Sequence, residues 1–135
     1  MTLDKLTLRK IEQYLDHARQ AISTGWLVAA HGDYAAATNR AYYAIFYAAN
    51  ALLATRKLER SKHSGVIAGF RQHFVKTGVI DAEFSRIYGE ALEQRNAADY
   101  SLIVLEQSTA NRCIEGAERF VRHIEQTLRD LGAIS

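Results

Sequence analysis

The sequence predicts an all-α fold, an up-and-down bundle of four to five helices, and three observations carry that expectation. There is no proline among the 135 residues, so no helix interior meets the usual breaker. Apolar residues recur at spacings of three and four through most of the chain, which is the period of an amphipathic helix. One stretch, Ala35 to Ala54 (AAATNRAYYAIFYAANALLA), is apolar on nearly every side and carries Arg40 as its single formal charge. A helix apolar all round is buried among others or spans a membrane. Asn39, Arg40, Asn50 and a crowd of tyrosines interrupt this run, which favours the central helix of a soluble bundle over a membrane span. Its alanines allow close approach of neighbours, and its aromatics fill the remaining space.

The remaining elements come in order along the chain. A first helix is expected from about Leu3 to Ala30, with Leu8, Ile11, Leu15, Ala18, Ile22 and Trp26 as its inner stripe. Gly25 weakens a helix interior by roughly 1 kcal/mol relative to alanine, so a bend or break is expected near Ser23-Thr24-Gly25. Gly32 then ends the helix and Asp33 caps the next one; so short a connection makes the two helices antiparallel. After the central helix comes a basic polar loop, TRKLERSKHSG, from Thr55 to Gly65. Ser61 is expected to cap a third helix bearing Val66, Ile67, Phe70, Phe74 and Val75, ended by Gly78. A fourth starts near Asp81 with Phe84, Tyr88, Ala91 and Leu92 inward. A fifth starts near Ser108 or Thr109 with Cys113, Ala117, Phe120, Ile124 and Leu128 inward.

At this length the chain is expected to be one domain, residues 1–135, with 48% apolar and 24% charged residues, the ordinary globular mix. A net charge of +2 is too mild to imply nucleic-acid binding by itself. One cysteine leaves no internal disulfide and no cysteine-based zinc cluster. His17, His31, His73 and His123 share no ligand spacing, so no metal or cofactor is expected. The absence of a signal peptide or apolar run near the start points to the cytoplasm.

The candidate chemistry lies late in the fourth helix, in QRNAADYS. Arg95 follows Phe84 by three helical turns and therefore continues a stripe that otherwise faces the core. Asp99 lies four residues on, on the same face, with Tyr100 beside it. Arginine before aspartate is the weaker order for such a pair, and aspartate near a helix C-terminus opposes the macrodipole. Either the pair is a half-buried salt bridge, or the arrangement serves a site. Arg40, with Tyr43, Tyr47 and Asn50, forms a polar-aromatic face that can reach Asp99 or contact a nucleotide. Lys62, His63 and Ser64 open the third helix, where free N–H groups and the dipole favour phosphate; capping or solvation is the plainer role for His63.

The segments AxxNRAYYAxFYAAxALL, KHSGVIxxFxxxFVKTG and RNxADY resemble the HEPN family (higher eukaryotes and prokaryotes nucleotide-binding domain), in its subgroup of small stand-alone prokaryotic proteins. The resemblance covers about Leu8 to Leu131. It implies a helical bundle that pairs into a homodimer, encoded beside a minimal nucleotidyltransferase as a toxin–antitoxin pair. Active members of the family are metal-independent ribonucleases whose motif is an arginine, a polar residue, and a histidine four to six residues further on. Arg95 and Asn96 match its first half; Tyr100, Ser101 and Leu102 stand where the histidine would. A tyrosine of ordinary pKa near 10 is a poor base at neutral pH. What the resemblance implies for Arg95, Asn96, Asp99 and Tyr100 is therefore contact with RNA or nucleotide, with Arg40, Tyr43, Lys62, His63 and Ser64 as further binding residues. Three readings remain open: an endoribonuclease with another proton-transfer group, a non-catalytic binding or partner-docking module, and a purely structural dimer.

Overall fold

The structure, a computed structural model, describes residues 2–100 and 104–135. It contains five α-helices, α1 Lys5–Ala30, α2 Tyr34–Ala54, α3 His63–Phe70, α4 Ala82–Tyr100 and α5 Gln107–Asp130, and a π-helical turn, Arg71–Val75, that prolongs α3. Among the described residues there is no strand. The all-α bundle is as the sequence predicts.

The central role of α2 comes from its composition. Ala37, Ala41, Ala44, Ala48, Ala49 and Ala51 are all fully buried, as are Ile45, Leu52 and Leu53. Side chains this small leave room for helices on several sides, and α2 packs against α1, α3, α4 and α5. Asp33 caps it, its carboxylate accepting the Ala36 N–H at 3.1 Å. Gly32, at φ +84°, takes the left-handed turn between α1 and α2, a conformation that costs a residue without Cβ nothing.

At the other end of α2 the left-handed position falls to Lys57, at φ 57°. There the Lys57 and Leu58 N–H groups close onto the Ala54 and Leu53 carbonyls. The loop leading on to α3 is fastened by Asn50. Its buried side chain donates to the Arg60 carbonyl at 2.9 Å and accepts the Arg60 N–H at 3.1 Å. One side-chain amide thus satisfies both backbone groups of a residue ten positions away, as a neighbouring strand would.

Three local expectations are corrected. Helix α1 runs unbroken through Gly25, which is buried; a Cβ there would lie 3.5 Å from the Arg40 Cβ and 3.6 Å from Ile114 Cγ1. The glycine marks where α1 is pressed against α2 and α5, not a bend. Ser61 does not cap α3, whose N-cap position is Lys62, with no side-chain cap bond. On α5 the inward position is Ile114, fully buried, while Cys113 is only half-buried; the apolar stripe runs Ala110, Ile114, Ala117, Phe120, Val121, Ile124 and Leu128. Asp81 does begin α4 as expected, its carboxylate accepting the Glu83 N–H at 2.9 Å.

Candidate functional site

On α4, Phe84, Tyr88 and Ala91 are buried in the core, and one turn past Ala91 the same stripe carries Arg95. Its guanidinium leaves the core over the aromatic face of α2, with Cζ 5.2 Å from the Tyr42 ring centre and 5.9 Å from that of Tyr43. Cation–π attraction of this kind is strongest where water is excluded. The Arg95 side chain is 17% exposed and its Nε lies 3.1 Å from Asp99 Oδ2. That contact is electrostatic only. Nε is buried without a hydrogen-bond partner, and a buried donor left unused costs about 1–3 kcal/mol. Arg95 is therefore held by ring faces and a carboxylate at its side.

The same rings hold His63. It opens α3, and its Nδ1 lies 3.1 Å from the Tyr42 hydroxyl. Its ring packs on Phe46 at 4.7 Å between centres, edge-on to Tyr43 at 5.4 Å, and against Tyr42 at 5.6 Å. Burial, aided by the positive charge of Arg95, pushes the His63 pKa below the usual histidine value, so the imidazole is neutral at pH 7. Burial pushes the Tyr42 phenol up to about 12, against the opposing pull of Arg95. Tyr42 is then a neutral hydrogen-bonding group over the whole physiological range, not a base.

Arg40 completes the patch from within α2. Its Cζ sits 4.9 Å from the Tyr43 ring centre, and Nη2 donates to Asn39 Oδ1 at 2.9 Å. Two guanidinium groups therefore converge on Tyr43. The expectation that Arg40 reaches Asp99 is corrected: the aspartate's ion-pair partner is Arg95. Arg40 points its charge along the neighbouring turn of its own helix.

Of the remaining sequence-derived candidates, Asn96 is exposed beside Arg95. Tyr100 is 78% exposed, a surface residue at the end of α4. Ser101 and Leu102 lie outside the described residues. Lys62 and Ser64 are exposed and flank His63 at the uncapped start of α3, where unpaired N–H groups suit an anion. Arg40, Tyr43, His63, Arg95 and Asp99 thus come together as one cluster. Tyr42 and Phe46 complete it, and in the sequence nothing but their place in the central helix marks them. Tyr42 and His63 are 21 residues apart with a loop between, so no helical period links them.

Other features are less suited to this chemistry. A cavity of about 400 Å³ between α4 and α5 is lined by Glu90, Glu93, Arg112 and Cys113, among others; its carboxylates disfavour phosphate. Among the described residues no three His, Cys, Asp or Glu side chains are grouped to hold a metal ion. No described helix is long and apolar enough to cross a membrane.

A bundle built on an alanine-rich central helix, with an arginine from α4 and a histidine from α3 meeting on its aromatic face, places the chain among small all-α proteins. The chain belongs to the HEPN domain family, whose profile matches residues 5–127. It is similar to a Thermotoga maritima protein named "UPF0332 protein", with 38% identity over 90% of this chain and 92% of the relative. It is also similar to a Methanocaldococcus jannaschii protein named "Putative toxin MJ0605", with 34% identity over 96% of each chain. A third relative, from Pyrococcus horikoshii and named "UPF0332 protein PH1297", is 29% identical over 90% of this chain and 81% of its own.

Proposed function

We propose that this protein is the HEPN component of a toxin–antitoxin-like pair, that it works in the cytoplasm as a homodimer beside a minimal nucleotidyltransferase, and that it binds the phosphate of RNA or of a nucleotide through Arg95. The observation that carries this reading is the state of that arginine. The guanidinium is held in place over the rings of Tyr42 and Tyr43, with Asp99 beside its Nε. A planar guanidinium fits phosphate through two parallel N–H donors, and Tyr43 beside it offers a face on which a base can stack. The toxin name of a relative matched over nearly its whole length supports the toxin side of the pair.

The test is a titration of fluorescently labelled single-stranded RNA with the wild-type protein and with Arg95→Ala, alongside thermal melts of both. Saturable, salt-sensitive binding by the wild type, lost in a variant that melts normally, is the expected result. No binding of RNA or nucleotide by the wild type, with a large drop in melting temperature for the variant, would reduce Arg95 to a structural residue. The non-catalytic reading, in which the protein docks its partner and presents a ligand, has one observation in its favour: tyrosine stands at position 100, where the family motif can carry its histidine.

A further inference from the structure

We propose that His63, presented by α3, is the proton-transfer group of this site, in a cleavage that uses RNA's own 2′-hydroxyl. The proposal rests on the reading that Arg95 holds an RNA phosphate. Its basis is geometric. Arg95 and His63 come from different helices, yet both pack on the rings of Tyr42 and Tyr43, which gathers them on one aromatic cluster of α2. Two other histidines that touch aromatic rings are differently placed: His123 lies flat on Phe84 at 3.9 Å, and His17 sits against Tyr47. The position of His63 is fixed on both sides. Phe46 and the two tyrosines confine the ring, and the Asn50 clasp on Arg60 holds the loop that leads into it.

The Tyr42 oxygen lies 3.1 Å from Nδ1 and can accept its proton in a hydrogen bond; the proposed step uses that tautomer, in which Nε2 carries the lone pair. In the proposed step Nε2 takes the proton of the 2′-hydroxyl, and the freed oxygen attacks the phosphorus of the adjacent phosphodiester. The bond from phosphorus to the 5′-oxygen breaks, and that oxygen takes a proton from water. His63 returns its proton to solvent. The products are a 2′,3′-cyclic phosphate and a 5′-hydroxyl, with no oxidant or co-reactant consumed. Arg95 neutralises the charge on the non-bridging oxygens as the phosphorus becomes pentacoordinate. The groups facing His63 are the Tyr42 and Tyr43 phenols from α2 and Arg95, with its partner Asp99, from α4. Of these, the imidazole is the one suited to take up and release a proton near pH 7.

The plainer role for the same contact is a tie between α2 and α3, and the experiment separates the two. A pool of random-sequence single-stranded RNAs and bulk cellular RNA are incubated with the purified wild type, His63→Gln, Arg95→Ala and Tyr42→Phe. Glutamine keeps a hydrogen-bonding side chain but cannot titrate. Expected for His63→Gln is RNA affinity within about threefold of wild type, an unchanged melting temperature, and cleavage reduced about 100-fold or more, the usual worth of general base catalysis. Arg95→Ala loses binding and cleavage together. As a positioning residue, Tyr42 shows itself in the pH profile: in Tyr42→Phe the acidic limb of kcat moves to lower pH, because the imidazolium loses an acceptor. RNA with 2′-deoxy sugars is bound and left intact. RNA bound by the wild type but never cut, or cut equally well by His63→Gln, overturns the assignment of His63 while leaving Arg95 as the phosphate contact. If the wild type binds no RNA, both readings fall.

Discussion

Two ion pairs with the same spacing sit at the ends of α4 and α5, and they are built in opposite ways. On α5, Glu125 precedes Arg129 by four residues, the favourable order, with the arginine in the last turn where a cation complements the helix dipole. Glu125 also receives Arg19 from α1 at 3.2 Å, and Arg19 in turn meets Asp16 at 3.0 Å. The arginine of the α5 pair is 44% exposed. The shared carboxylate, Glu125, is 16% exposed, and two half-exposed arginines meet it there to join α1 to α5. On α4 the arginine comes first, the aspartate faces the negative end of its helix, and the guanidinium is mostly covered, by aromatic rings more than by donors and acceptors. Spacing alone would equate the two pairs. What separates them is order, position along the dipole and the surface beneath, and all three set the α4 pair apart from a stabilising device.

Removing each arginine in turn separates the two pairs most strongly. Arg95→Ala is expected to weaken RNA binding about 100-fold, the worth of the charge-assisted hydrogen bonds it would make, and to change unfolding free energy by under about 1 kcal/mol, because the cation–π packing lost is set against the removal of a buried, unpaired donor. A reversed outcome, intact binding with a stability loss of several kcal/mol, would make the α4 pair structural after all. A control must show that melting does report damage to this bundle. Ala41 is fully buried, and Ala41→Leu overpacks the helix contacts at α2, for an expected loss of about 1–3 kcal/mol in denaturant unfolding.

Asp99→Asn is the intermediate case. It keeps the shape but removes the charge that sits beside Arg95 Nε, so binding is expected to fall about three- to tenfold in the same titration, with the fold retained. The smallest effect belongs to the α5 pair. Arg129→Ala should cost under about 0.5 kcal/mol in chemical unfolding, an effect that fades with salt, and should leave RNA binding unchanged.

The parts of this molecule legible in the sequence are those that depend on period and on local chemistry. The helices come from apolar spacing, the cap at Asp33 and the turn at Gly32 from residue type, and the approach of Arg95 to Asp99 from counting along one helix. What escaped is tertiary. Gly25 reads as a weak point until the neighbours that crowd it are known. Ser61 has the right chemistry for a cap, but the chain is turned so that α3 starts after Lys62. Arg40 faces the same side as Asn50 by its period, yet Asn50 is committed to the loop and Arg40 to Tyr43. The meeting of Tyr42 with His63 depends on how a loop folds back over α2, and no local rule encodes it.

The Asn50 clasp divides that loop into two segments of different tolerance. Between Thr55 and Glu59 the chain is fixed at both ends, by the close of α2 and by the hold on Arg60, so an added residue there can bulge outward without displacing α3. Between Arg60 and His63 only Ser61 and Lys62 intervene, and nothing downstream can take up slack before the imidazole. A single inserted residue in the first segment leaves Arg60 in register; in the second it rotates the start of α3 by about 100°, one residue of a 3.6-residue turn, and turns His63 away from Tyr42. Length variation in a loop is usually cheap, but here the position of one buried amide decides on which side of it an insertion is absorbed and on which it is transmitted to the site.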